Sequence, residues 1–221
     1  MTTPQDRQDR QDRQDRQDGH DPRRPGGSPA RTERQRARRR RILDAATRLA
    51  SAGGFDAVQM REVAETSGVA LGTLYRYFPS KIHLLVAVLH DQLEQLRANL
   101  RDRPLPEPDP AARLAHTLRR AFRAHQRDPR LAEAMMRALL FADRSAREEV
   151  RGVFRLTTAI LLDASNLAGE EIPGRLSTVR VIQHTWHAAL VSWLSGQITL
   201  EQAQADIETV CRLLTVPAPP D

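Results

Sequence analysis

Thr73, Tyr75, Arg76 and Tyr77 crowd the short segment Leu71-Gly-Thr-Leu-Tyr-Arg-Tyr-Phe78, and Lys81 follows closely. Two phenols, a hydroxyl, a guanidinium and an ammonium form a set of hydrogen-bond donors with no catalytic base among them. Side chains of this kind suit phosphate oxygens and the edges of bases. If the segment is helical, Val69 and Leu74 pack beneath it, and Leu71, Gly72, Thr73, Tyr75, Arg76 and Tyr77 lie nearer the outer surface. Lys81 is the only lysine among 34 basic residues. It falls in the first turn of the next predicted helix, where a cation opposes the helix dipole, so a point-charge contact to phosphate explains it better than helix stability does.

Other chemistry is thinly represented. Residues 101–216 contain no nucleophile paired with a base, no glycine-rich phosphate loop and no paired acids. His184 and His187 are one helical turn apart, but no third ligand is suggested nearby, so capping or partly buried histidines are expected instead of a metal site. Cys211 is the only cysteine and reads as a small buried hydrophobe. No metal, no cofactor and no enzymatic activity are expected.

The elements that must position the donor set are helices. Gly68 supplies a turn between a helix at roughly 59–67 and one at 71–77, and the small Ala64 permits their close approach. Upstream, Ile42, Ala45, Ala46, Leu49 and Ala50 mark an earlier helix that ends at Gly53-Gly54. Arg31, Arg34, Arg36, Arg38, Arg39, Arg40 and Arg41 run into it against the single acid Glu33. A basic block at a helix N-terminus opposes the dipole and favours phosphate contact. Downstream, Ser80 is a candidate N-cap for a long helix with Ile82, Leu85, Leu89, Leu93, Leu96 and Leu100 on one face. Asp128-Pro129 opens another helix, Pro173 a third, and Thr199 with Gln202 forms a capping-box pattern for the last. Sustained period-two alternation is absent, so the fold class is all-α.

Residues 1–30, with Gln-Asp-Arg repeats and then Gly and Pro, offer no large apolar side chain after Met1 and read as a disordered tail. The expected divisions are a tail at 1–30, a helix-turn-helix domain at 31–97, a helical domain at 98–216 and a short tail at 217–221. A sequence pI of 10.7 and a net charge of +6 point to a polyanionic partner, nucleic acid before an anionic membrane. No stretch approaches the ~20 apolar residues of a membrane span, and no secretory signal opens the chain, so a cytoplasmic protein is expected.

Phe55, Arg61-Glu-Val-Ala64 and Gly68-Val-Ala-Leu-Gly-Thr-Leu-Tyr-Arg-Tyr-Phe-Pro-Ser-Lys81 resemble the DNA-binding signature of the TetR family over roughly 37–97. The resemblance implies a TetR-like fold whose helix at 71–77 enters the major groove of an operator duplex. It implies DNA contact by Thr73, Tyr75, Tyr77 and Lys81, with Leu71, Gly72, Arg76 and the upstream Arg40 in the same interface. Gln59, Met60 and Arg61 would touch the backbone. Two positions depart from the family, which often has Ser or Thr at Gln59 and Ala70; without a capping side chain, Ala70 forgoes about 1 kcal/mol of local stability.

In the second half, Leu93, Leu96, Phe122, Met135, Met136, Leu139, Phe154, Leu161 and Trp186 beside Thr157, Thr158 and Gln183 could line an apolar cavity with a few polar contacts, or form an ordinary core. The segment Leu131-Ala-Glu-Ala-Met-Met-Arg-Ala-Leu-Leu-Phe-Ala-Asp143 is similar to the sensor region of those family members that repress cholesterol and steroid breakdown. This likeness implies a small hydrophobic effector, a sterol-derived acyl-CoA. Arg113, Arg119, Arg120 and Arg123 are candidate cations for the CoA group, or a solvated helix face. Val181, Thr185, Ala188 and Ser192, with Ile207 and Val210, are the expected homodimer contacts. An activator, a regulator of another pathway such as drug efflux, and a non-specific nucleic-acid binder stay open at this point.

Overall fold

The computed structural model describes residues 29–102, 109–166 and 172–212, and among these every regular element is a helix. The chain divides into two compact units, Met1–Arg38 and Arg39–Asp221. The helices are α1 (Pro29–Ala57), α2 (Met60–Ser67), α3 (Leu71–Tyr77), α4 (Lys81–Asp102), α5 (Pro110–Arg127), α6 (Pro129–Leu140), α7 (Arg147–Ser165), α8 (Ile172–Leu194) and α9 (Leu200–Arg212), with a 3₁₀ turn at Arg144–Ala146.

Helix α1 already begins at Pro29, two residues inside the expected tail, and the basic run is part of it. Residues 1–28, the proline-rich 103–108 and the expected C-terminal tail lie outside the described residues. Gly53-Gly54 makes a kink rather than an end: Gly54 has φ 72° and ψ −161°, a backbone region that side chains disfavour, and the helix resumes for a short turn to Ala57.

Side-chain caps account for the starts of α5, α6 and α9. Asp109 accepts from Ala112 N at 2.7 Å with Pro110 at the first helical position. Asp128 accepts from Leu131 N at 3.0 Å with Pro129 in the same role. Thr199 Oγ1 accepts from Gln202 N at 3.2 Å. Ser80 is at the start of α4, its hydroxyl 2.9 Å from His83 Nδ1.

Helix α4 packs on α6 and α7, α5 on α7 and α9, and α8 on α9. The buried side chains form one continuous cluster from Ile42 to Cys211. The boundary expected at 97/98 falls within α4, which runs unbroken to Asp102, so one rod connects the helix-turn-helix to the larger bundle. Among the described residues no helix is long and apolar enough to cross a membrane.

Candidate nucleic-acid interface and effector cavity

Gly68 ends α2 in the left-handed region (φ 66°, ψ 37°), and its N–H satisfies the carbonyls of Ala64 and Glu65. Val69 N then donates to Ala64 O at 3.0 Å, which brings the chain back at once into α3. Val63, Ala64 and Leu74 are buried between the two helices, and Arg41 Nε donates to Ser67 O at 3.4 Å, tying α1 to the end of α2. Helix α3 has no side-chain cap at Ala70.

This packing leaves the donor set outside. Tyr75 is 46% exposed and Leu71 38%; Gly72 and Arg76 are exposed, while Thr73 and Tyr77 are half-buried. Arg40 and Arg61 are also exposed, and Met60 is half-buried against the core. The side-chain amide of Gln59, although exposed, donates to Asp56 O at 2.8 Å and helps join α1 to α2.

Lys81 is less free than its sequence position suggests. Its Nζ donates to Phe55 O at 3.2 Å and lies 4.0 Å from the centroid of the Phe55 ring. The Arg137 guanidinium lies over the same ring at 4.5 Å and pairs with Asp56 at 3.2 Å. Three further bonds hold the same two helix ends together: Ser51 Oγ to Asp128 Oδ2, Arg130 Nη1 to Ala52 O at 2.6 Å, and Phe55 N to Glu133 Oε2 at 3.4 Å. The end of α1 is thus clasped along α6, from its N-cap Asp128 to Arg137 in its last turn. Sequence reading does not find this joint, because its members are ordinary surface types scattered over nearly ninety positions.

Behind the clasp is a cavity of about 90 Å³ lined by Leu89, Gln92, Leu93 and Leu96 of α4, Ala121, Ala124 and His125 of α5, and Asp128, Leu131, Met135 and Trp186. Burial pushes the His125 imidazole down to about 4, with His187 adding to the effect, so it is neutral near pH 7. A second cavity of about 290 Å³ adjoins the far ends of α4 and α5, where Arg97, Arg101, Arg113, Thr117 and Asp163 meet Leu100 and Ile160. Arg97 Nε and Arg101 Nη2 both donate to Asp163 Oδ2, at 2.8 and 3.2 Å, and Arg113 donates to the carbonyls of Ala164 and Ser165. Among the described residues, the guanidinium groups of Arg97, Arg101 and Arg113 and the carboxylate of Asp163 are the charged groups that line this cavity.

Of the expected effector residues, Leu93, Leu96, Met135 and Trp186 line the first cavity. Phe122, Met136, Leu139, Phe154, Thr157, Thr158, Leu161 and Gln183 line neither, for identifiable reasons. Phe122 packs against Trp193 at 5.1 Å and Phe154 against His187 at 5.5 Å. Thr157 back-bonds to Val153 O, and Thr158 donates to Gln183 Oε1 at 3.0 Å, so these polar groups satisfy one another within the bundle. Of the candidate cations, Arg119 pairs with Glu208, and Arg113 lines the second of these two cavities. Arg97 and Arg101, one helical turn apart on α4, line that cavity beside Arg113 and are not singled out by the sequence reading.

On α8, Val181 is 48% exposed, Ala188 is exposed, and Thr185 and Ser192 are half-buried, while Val179, Ile182, Trp186 and Leu190 fill the chain's own core. Ile207 and Val210 of α9 do not share that outer face. They are buried in the same core, at 0% and 6% exposure, which corrects their expected place in a dimer contact. His184 is exposed, and no cluster of potential metal ligands occurs among the described residues. Burial pushes the Cys211 thiol up to about 12, as suits an inert core residue.

Comparison with known proteins places these features. Residues 42–88 match the profile of the bacterial regulatory proteins of the tetR family, and residues 108–214 that of the tetracyclin repressor-like C-terminal domain. The chain is 43% identical to the HTH-type transcriptional repressor KstR of Mycolicibacterium smegmatis, over 83% of this chain and 89% of that protein. Its fold superposes with a TM-score of 0.75 on a TetR transcriptional regulator from Rhodococcus sp. RHA1, at 36% identity and covering 83% and 98% of the two chains. At 22% identity, FadR of Thermus thermophilus in complex with lauroyl-CoA has the same fold, with a TM-score of 0.63 over 83% of this chain and all of that one.

Proposed function

Since the chain belongs to the tetR family of transcriptional regulators and is not an enzyme, we propose that it is a homodimeric, effector-released repressor of lipid and sterol catabolism genes. In this reading α3 lies in the major groove with Thr73, Tyr75, Arg76 and Tyr77 toward the bases and phosphates, flanked by Leu71 and Gly72. Arg40, Gln59, Met60, Arg61 and Lys81 flank it on the backbone. A two-fold partner packed on Val181, Thr185, Ala188 and Ser192 sets the second α3 about 34 Å away, one helical turn of DNA, so the operator is an inverted repeat. The protein acts in the cytoplasm, where its DNA is.

One observation carries the proposal: a glycine turn and a buried Leu74 present an exposed tyrosine–arginine face on α3, at the end of a rod whose other end walls two cavities. The two cavities share α4 and α5, apolar first and cationic after. That order suits a ligand with an apolar body and an anionic head, and a sterol-derived acyl-CoA has this form; the KstR likeness and the lauroyl-CoA bound by a distant relative support the same class. At about 90 Å³ the apolar cavity is smaller than the roughly 300 Å³ at which ligand pockets begin. An effector must therefore part its walls. Two of those walls, Asp128 and Leu131, belong to the turn of α6 that clasps α1, so an effector that favours the parted form shifts α1 and α3 out of operator spacing.

The test is capture of bound genomic fragments followed by quantitative binding. The expected outcome is an inverted repeat beside lipid or sterol catabolism genes, bound at least about 10³-fold tighter than random DNA. It should be released by a sterol-derived acyl-CoA and lost in Tyr75→Ala. Equal binding to random DNA sinks the proposal.

A further inference from the structure

Six large apolar side chains are exposed among the described residues. Leu71 and Tyr75 belong to the outer face of α3, and Leu176 and Val181 to α8, but Leu140 at 65% exposure and Phe141 at 69% belong to neither. Single exposed apolar side chains are ordinary, whereas two adjacent ones that nothing local covers mark a contact surface. The pair does not hang on a loose loop. Phe141 N donates to Arg137 O at 3.0 Å and closes α6, and Asp143 opens the next turn by accepting from Ser145 N at 2.8 Å and Ser145 Oγ at 2.6 Å. Immediately after the pair, Ala142, Asp143, Arg144, Arg147 and Val150 line a shallow, open hollow. Arg144 and Arg147 are exposed and have no ion-pair partner among the described residues.

A projecting apolar pair, a hollow with Ala142 and Val150 in its lining, one carboxylate and two unpaired guanidinium groups thus lie side by side. Such a set is complementary to itself. About a two-fold axis, Phe141 of one copy meets the hollow of the other, and Asp143 of each meets Arg144 or Arg147 of the other. Location decides which copy this is. Hydrogen bonds from Ser145 hold the Asp143 carboxyl below its ordinary range, and His83, in the first turn of α4, adds to the effect. The surface is therefore beside the start of α4, close to Lys81 and the helix-turn-helix, and apart from the outer face of α8. We propose that the turn between α6 and α7 joins two dimers side by side on one duplex, so that the chain loads cooperatively on DNA. The inference rests on the α8 pairing of the preceding section and adds a second isologous contact to it. A duplex holding two neighbouring dimers raises their effective concentration, so a contact too weak to persist in solution suffices there.

The experiment uses the full chain and two mixed-sequence duplexes, one with room for a single dimer and one with room for two, while sedimentation follows the oligomeric state. On the longer duplex the second dimer should bind about thirtyfold tighter than the first, the worth of one interface hot spot. Phe141→Ser should bring that factor to about one, leave affinity for the shorter duplex unchanged and leave the dimer intact. Asp143→Arg alone should abolish cooperativity, and so should Arg144→Glu combined with Arg147→Glu, because like charges then face each other. Mixing the two charge variants should restore it. Phe141 is a surface side chain, so its variant answers the question even if Asp143→Arg disturbs the turn. Non-cooperative binding by the unaltered chain, cooperativity that survives Phe141→Ser, or charge variants that do not rescue one another each overturns the inference. A Phe141→Ser chain that sediments as a monomer also overturns it, since the pair would then lie inside the two-fold interface. If the unaltered chain is itself monomeric and still loads cooperatively through Phe141, the α8 reading fails and the contact at the end of α6 stands.

Discussion

Removing Arg137 tests whether the clasp between α1 and α6 is an energetic unit. Its guanidinium lies over Phe55 at 4.5 Å and pairs with Asp56 at 3.2 Å and Glu133 at 3.8 Å, in a side chain 40% exposed. At such exposure the ion pairs contribute about 0.2–1 kcal/mol and the cation–π contact about 0.5–1 kcal/mol. Arg137→Ala should thus cost about 0.7–2 kcal/mol, or roughly 1–8 °C of melting temperature at the 2–4 °C per kcal/mol usual for chains of this size. The sharper measurement is a double-mutant cycle with Phe55→Leu, which removes the ring and keeps an apolar side chain, followed by denaturant unfolding. A coupling of about 0.5–1 kcal/mol is expected for the cation–π pair. In operator titrations the same Arg137 variant should respond less to an effector, since α6 would pull on α1 through fewer bonds. Strict additivity of the two substitutions, with an undiminished effector response, refutes the clasp as the transmission joint.

Lys81→Met should lower the melting temperature, because the tie to Phe55 O and the ring contact are lost together. It should also reduce the slope of log affinity against log salt by about 0.9, one phosphate contact; an unchanged slope assigns Lys81 to structure alone. Gly54→Ala should destabilise by about 1–3 kcal/mol, since φ 72° and ψ −161° suit glycine and an added Cβ would come 3.4 Å from Glu133 Oε2; thermal melting checks it. His125 and His187 are both depressed from 6.5 to about 4, so the unfolded chain binds more protons than the folded one between those values. Their contribution is whole above pH 6.5 and is lost as pH falls toward 4, by up to about 1.4 kcal/mol per pH unit for each histidine. Denaturation curves at pH 7, 6 and 5 should show this decline, and His125→Phe should flatten it.

The helical elements are legible in the sequence because they depend on local signals. Asp109-Pro110 and Asp128-Pro129 start helices wherever the chain puts them, and Gly68 permits a left-handed turn without help from elsewhere. The outward face of α3 is legible for the same reason, since burying Val63, Ala64 and Leu74 decides which side of a seven-residue helix faces out. The interior of the larger bundle is not. Thr158 and Gln183 look like ligand contacts because polar groups in an apolar setting need partners, but they find each other. Ile207 and Val210 have the same pattern as an interface stripe, and only the three-dimensional course of α9 turns them inward. Arg97, Arg101 and Asp163 meet across helices that sequence spacing cannot align.

Asp128 occupies the point where several tasks coincide: it caps α6 through Leu131 N, accepts Ser51 Oγ from α1 and forms part of the cavity wall. In the proposed reading, sensing and transmission therefore differ in their tolerance of change. On that reading Leu93, Leu96 and Trp186 can vary to suit a new chemical signal while the joint persists, which would let the same architecture be retuned among metabolites. A substitution at Asp128 has no such latitude, because it would disturb the helix start, the joint and the binding wall in a single step.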